Sequence, residues 1–151
     1  MNIRKANIND AKKIQFLINV YAEKDLMLPR SLNEIYENIR DFWVCEQKNK
    51  IIGSCALHPV GWENMAEIKS LAVLRNNQRK GIGRTLVNNC IEEAKVLKIK
   101  NLFVLTYVPK FFKQLGFKKI SKSKLPHKIW ADCYKCHKFP NCNEEALIKS
   151  I

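Results

Sequence analysis

Between Ala66 and Cys90 the chain reads AEIKSLAVLRNNQRKGIGRTLVNNC, which dictates a strand, a tight loop and a helix in immediate succession. Ala66 to Leu74 is an apolar run of strand length, while Ile82, Leu86, Val87, Cys90, Ile91, Ala94 and Leu97 recur on one face of a helix. The loop between them, Gln78 to Gly83, is the informative part. Glycine is unfavourable inside a helix, and basic residues oppose the positive end of a helix dipole unless an anion sits there. Two glycines at a helix start leave several unpaired N–H groups converging on one point, with Arg79, Lys80 and Arg84 around it. The loop lacks the length and the Lys-Ser/Thr pair of a P-loop, and it is not G-x-G-x-x-G because Thr85 and Leu86 follow. A pyrophosphate held without a metal fits it.

The elements around this unit follow from their patterning. Ile3 to Ala6 reads as a strand, and a helix starting at Asn9 or Asp10 carries Ile14, Leu17, Ile18 and Tyr21. Ser31-Leu32-Asn33-Glu34 is a capping box opening a second helix. Phe42 to Glu46, Ile51 to Val60 and Ala66 to Leu74 are strands with short links, an antiparallel meander. After the long helix come a strand over Leu102 to Thr106, a short helix around Lys110 to Gln114, and a last strand over Phe117 to Ile120. The order β-α-α-β-β-β-α-β-α-β predicts an α/β mixed sheet with helices on both faces. The long helix is a crossover, so the two strands it joins run parallel.

With 151 residues the chain has enough length for one core. No stretch has the length of a membrane span, and the opening MNIRKANINDAKK lacks the apolar centre of a signal peptide, which predicts a cytoplasmic protein without a membrane partner. The net charge of +13 raises nucleic acid as a partner. Against it, the charge is dispersed, and the densest cluster, Lys118 to Lys128, has no aromatic platforms for bases. A small anionic ligand suits the same field.

Gln78-Arg79-Lys80-Gly81-Ile82-Gly83, with SLAV before it and FFKQLGF (Phe111 to Phe117) after the next strand, resembles the acetyl-CoA pyrophosphate loop of the GNAT acetyltransferase superfamily. Within it, LPRSLNEI, EIKSLAV, LTY before FFKQLGF and the tail LPHKIWADCYKC are most similar to the N-acetylglutamate synthase branch, in a short form lacking the upstream kinase domain. Tyr107, Val108 and Pro109 stand where that branch places an arginine. The resemblance implies a mostly antiparallel sheet whose parallel pair splays at the acetyl-CoA site. It implies a catalytic domain over residues 1–121, with residues 122–151 as a cysteine-containing extension packed on it, and it allows a homodimer.

The implied activity is transfer of the acetyl group of acetyl-CoA to the α-amine of an amino acid, L-glutamate in arginine biosynthesis. The alternatives are a GNAT enzyme for another amine, such as a polyamine or a peptide N-terminus, and a non-catalytic acyl-CoA or nucleic-acid-binding module. By resemblance Leu71, Ala72, Val73, Gln78, Arg79, Lys80, Gly81, Ile82, Gly83, Arg84 and Phe112 contact acetyl-CoA, and a strand bulge frees the Val73 N–H as an oxyanion donor. Glu67 is either the base that takes the amine proton through a water or a solvent-facing strand residue. Phe112 occupies the family's usual tyrosine acid position, so Tyr107 is the substitute proton donor, unless it only packs. Arg30, after Pro29, is a substrate-carboxylate clamp or a surface arginine.

Cys45, Cys55 and Cys90 read as small core residues. Cys133, Cys136 and Cys142, with His127 or His137, are either a Cys₃His zinc site or free thiols. The C-x-x-C-H run from Cys133 to His137 matches a haem attachment signal, but that requires export.

Overall fold

The computed structural model describes residues 1–61, 64–125 and 144–151. Its strands are β1 (Asn2–Lys5), β2 (Phe42–Gln47), β3 (Lys50–Pro59), β4 (Met65–Val73), β5 (Asn101–Thr106), β6 (Lys118–Ile120) and β7 (Glu145–Ser150). The helices are α1 (Ala11–Ala22), α2 (Leu32–Glu37), α3 (Ile82–Val96) and α4 (Pro109–Gln114). They build one mixed α/β sheet in the order β1-β2-β3-β4-β5-β7-β6. Its only parallel pair among the described residues is β4 with β5, as the α3 crossover requires. No helix of the described residues is long and apolar enough to cross a membrane.

Helices cover both faces. α3 buries Ile82, Leu86, Val87, Cys90 and Ala94 against β3 and β4, together with Phe112, Phe117 and Leu147. α1 and α2 bury Ala11, Ile14, Leu17, Ile18 and Ile35 on the opposite face, over Phe42, Val44, Ala56 and Ala72. The approach of α3 is close: a Cβ on Gly53 of β3 would stand 3.1 Å from both Ile82 Cγ2 and Leu86 Cδ1. Cys45, Cys55 and Cys90 are fully buried. Cys90 donates to Cys55 over 3.7 Å, and that bond, with burial, holds the Cys55 thiol well above the usual range, protonated and inert.

The local signals act as physics expects, with two corrections. Lys48 and Asn49 both take positive φ (51° and 64°) and close a two-residue hairpin, the geometry that matches strand twist. Ser31 caps α2 by accepting from the Glu34 N–H. α1, however, is entered earlier than Asn9: Asn7 and Asp10 form a capping box around a 3₁₀ turn, and the α-helix starts at Ala11. The larger correction is β7, which the element order above omits. It pairs with β5 along its whole length, Asn101 to Ser150 through Thr106 to Glu145, and separates β5 from β6. Only Ala146 and Leu147 of its residues are fully buried, too short an apolar signal to stand out from the charges around it.

Asp10 anchors the start of α1 to β1. Its two oxygens accept from Arg4 Nη1 at 2.7 Å and Nη2 at 3.0 Å, and one also accepts from the Asn7 N–H at 2.8 Å. Burial opposes ionisation of Asp10, but the Arg4 guanidinium and the Asn7 N–H outweigh it and hold the carboxyl below its ordinary range. This stabilisation is complete above the unfolded carboxyl value of about 4 and lost as pH falls through the lower folded value. Asp10→Asn should therefore cost about 3 kcal/mol near neutrality, the scale for breaking a buried pair. Melting curves at pH 7 and pH 3 check it: the gap to wild type should shrink at the acid end.

Candidate functional site

β4 carries an extra residue relative to β3. Ala56 pairs with Lys69 and Ser54 with Ala72, so Ser70 and Leu71 together oppose Cys55. Ser70 takes positive φ (56°), and its carbonyl accepts from Ser54 Oγ at 3.2 Å. The bulge reverses the facing of the strand. Before it Ala66 and Ile68 face α3; after it Leu71 and Val73 do, while Ala72 joins the α1 core.

β4 and β5 pair only from Met65–Asn101 to Glu67–Phe103 and then diverge. The Leu74 N–H bonds to the Ile52 carbonyl of β3 at 2.9 Å. Backbone groups alternate sides along a strand, so the Val73 N–H is turned away from β3, toward the gap that β5 has left. Gln78 ties the following loop to this point: its Nε2 donates to the Val73 carbonyl at 3.0 Å and to the Tyr21 hydroxyl at 2.7 Å, and the Tyr21 hydroxyl itself donates to Val73. Gln78 thus braces the loop against α1.

Arg79 and Gly81 take positive φ (62° and 84°), and Gly81 precedes the first turn of α3. No side chain caps that turn and no acidic residue lies in it. The first helical bond runs from Thr85 N to Gly81 O, leaving the N–H groups of Ile82, Gly83 and Arg84 directed outward. Arg79, Lys80 and Arg84 are exposed around them. This is an anion site in its chemistry, and a pyrophosphate fits it. The Ile82 side chain points into the core, so only its backbone is available. Phe112 is also buried, between Phe111 and Phe117 in edge-to-face contacts. The ring bordering the loop is Phe111, 3.5 Å from where a Cβ on Gly83 would stand.

On the other face of β4 lies a cleft lined by Arg30, Glu34, Asp41, Lys69 and Ser70. The Arg30 side chain is only 11% exposed, with Nη1 at 3.5 Å from Glu34. Glu67 is nearly buried on the same strand, between His58 of β3 and Phe103 of β5 in register. Tyr107 is half-buried just past the end of β5. Lys69, Ser70, Asp41 and Phe111 were absent from the expected site. Alternation alone puts Lys69 beside Glu67, so the signal was present. The Cys133, Cys136 and Cys142 zinc reading, with His127 or His137, lies outside the described residues; among the described residues no group could hold a metal.

Residues 38–119 match the acetyltransferase (GNAT) domain family. An uncharacterized N-acetyltransferase of Chlorobaculum tepidum is 41% identical over 99% of this chain and 96% of its own length. The amino-acid acetyltransferase of Mycobacterium tuberculosis is 35% identical over 78% of this chain and 68% of its own. The N-acetylglutamate synthase of Neisseria gonorrhoeae, solved with coenzyme A and N-acetyl-glutamate, superposes with a TM-score of 0.89 at 27% identity, covering 99% of this chain and 34% of that one. This chain thus spans about a third of that synthase.

The brace on the loop is testable by itself. Gln78→Ala deletes two hydrogen bonds worth about 1 kcal/mol each. Amide hydrogen exchange at Asn77, Gln78 and Thr85, the hydrogen-bonded N–H groups on either side of the open turn, should quicken by roughly 5- to 30-fold, that energy expressed as a local opening equilibrium, while the α3 interior stays as protected as in wild type.

Proposed function

The chain belongs to the GNAT acetyltransferase family and is an acyltransferase of that type, and on this premise we propose that it acetylates the α-amine of an amino acid, L-glutamate, from acetyl-CoA. The observation that carries the acceptor is Arg30 and Lys69 lining one cleft. Two cations suit the two carboxylates of glutamate, and the guanidinium offers the planar fork that grips one of them in bidentate fashion. The named activities of the M. tuberculosis and N. gonorrhoeae relatives support the same acceptor class. The reaction would serve arginine biosynthesis in the cytoplasm.

The roles of the chain's own residues follow. The open first turn of α3, with Arg79, Lys80 and Arg84, binds the pyrophosphate of acetyl-CoA. The divergence of β4 from β5 admits the rest of that molecule between them. The Val73 N–H stabilises charge on the thioester oxygen as the amine adds. Glu67 takes one proton from the ammonium through a water, the free amine adds to form the C–N bond, the C–S bond breaks, Tyr107 supplies a proton to the departing thiolate, and the second proton shed by the nitrogen restores Tyr107.

A thiol-release assay with acetyl-CoA and L-glutamate, aspartate, glutamine and spermidine tests the assignment. Glutamate should be used best; faster use of spermidine would sink the amino-acid reading and leave the family intact. Glu67→Gln should lower turnover by roughly 10²–10⁴-fold, with partial recovery at higher pH where more amine is already deprotonated. Arg30→Lys should weaken glutamate by about 2 kcal/mol, the scale of a charge-assisted hydrogen bond, with acetyl-CoA affinity unmoved.

A further inference from the structure

Acetylation of an ammonium by a thioester releases one proton to water per turnover. Glu67, at 9% exposure, is poorly placed to hand that proton to solvent itself. His58 is its register partner on β3, and directly opposed residues of an antiparallel pair leave the sheet on the same face with Cβ atoms about 4.5–5.5 Å apart. A proton can cross that span directly or through one water. The His58 side chain is 35% exposed, and its Nδ1 lies 2.6 Å from Asp41 Oδ2. With Nδ1–H donated to that carboxylate, the neutral ring keeps Nε2 as its acceptor. The carboxylate also stabilises the imidazolium once it forms.

We propose that His58, oriented by Asp41, is a relay residue that carries the proton from Glu67 to solvent. The inference rests on Glu67 being the base. Glu67 takes a proton from the ammonium, His58 Nε2 takes that proton from the Glu67 carboxyl, and the imidazolium loses it to water, restoring both groups. The charges facing this path are Asp41 from the turn before β2, Lys69 and Glu67 from β4, and Arg30 and Glu34 across the cleft.

Two measurements test it. In the resting protein, the ring signals of His58 recorded at one fixed pH should move in Glu67→Gln relative to wild type, because the two side chains adjoin. Unmoved signals overturn the relay. In turnover with acetyl-CoA and L-glutamate, His58→Gln keeps a neutral polar group of similar reach in place of the ring but has no titratable nitrogen. Its kcat should fall by roughly 10²-fold, with the KM for acetyl-CoA and the melting temperature unmoved, and added imidazole should restore part of the rate. If Glu67→Gln is slow while His58→Gln matches wild type, the relay is wrong and the base assignment stands. If Glu67→Gln is silent, the base assignment fails and the relay with it. A slow His58→Gln that imidazole does not rescue, with wild-type solvent isotope effect, assigns His58 a purely structural role and also overturns it.

Discussion

The parting of β4 from β5 after three paired positions is the constraint from which the rest of the site descends. A parallel pair held in ladder along its full length would use the backbone groups of Ile68 to Val73. Here those groups lie beside a gap, and the bulge at Ser70 and Leu71 re-aims them. A strand that bends this sharply needs firm support on its other edge. β3 supplies it, through the Gly53–Val73 register, the Leu74–Ile52 hydrogen bond and the tight seat of α3 over Gly53. A Cβ at Gly53 would press on Ile82 and Leu86 at 3.1 Å, so the first turn of α3 is seated with no room to spare.

The same bulge divides the labour between the two faces. On one side the first turn of α3 presents donors and positive charge. On the other, Arg30, Asp41 and Lys69 line a cleft with Glu34 and Ile35 of α2, and His58 links Asp41 to its register partner Glu67. Tyr21 and Gln78 reach the end of β4 from α1 and from the loop, so the strand's last carbonyl is held from two elements at once. The unpaired N–H and the pinned carbonyl of Val73 belong to one residue, and fixing the second orients the first.

Much of this was legible in the sequence because it is written in local rules. Gly81 must adopt positive φ, Ser31 must cap, and the apolar spacing of α3 selects its buried face. The loop sequence therefore marked the uncapped first turn of α3 and the basic residues around it. What escaped depends on tertiary register. Nothing in Ser70 announces a left-handed backbone, and nothing in Asp41 or His58 announces that they meet, since they lie on different elements. Phe111 and Phe112 are adjacent, and only packing decides which ring turns inward. Gln78 matched a ligand-loop pattern, but that its side-chain nitrogen braces the loop depends on where α1 and β4 place Tyr21 and Val73.

The insertion of β7 between β5 and β6 has a consequence for how the sheet is assembled. β5 meets β7 across a long stretch of chain, Asn101 with Ser150, as β1 meets β2, Asn2 with Glu46, whereas β2 to β4 follow one another through short links. Bringing distant segments together costs loop entropy before any contact repays it, so such pairings come late in folding. Until β7 docks, β5 offers a bare row of donors and acceptors, with Leu102, Phe103 and Val104 behind it, to any strand nearby. In a nascent or heated population, this edge is where one copy would capture another, and solubility during synthesis would be set by how quickly Ala146 and Leu147 find their places.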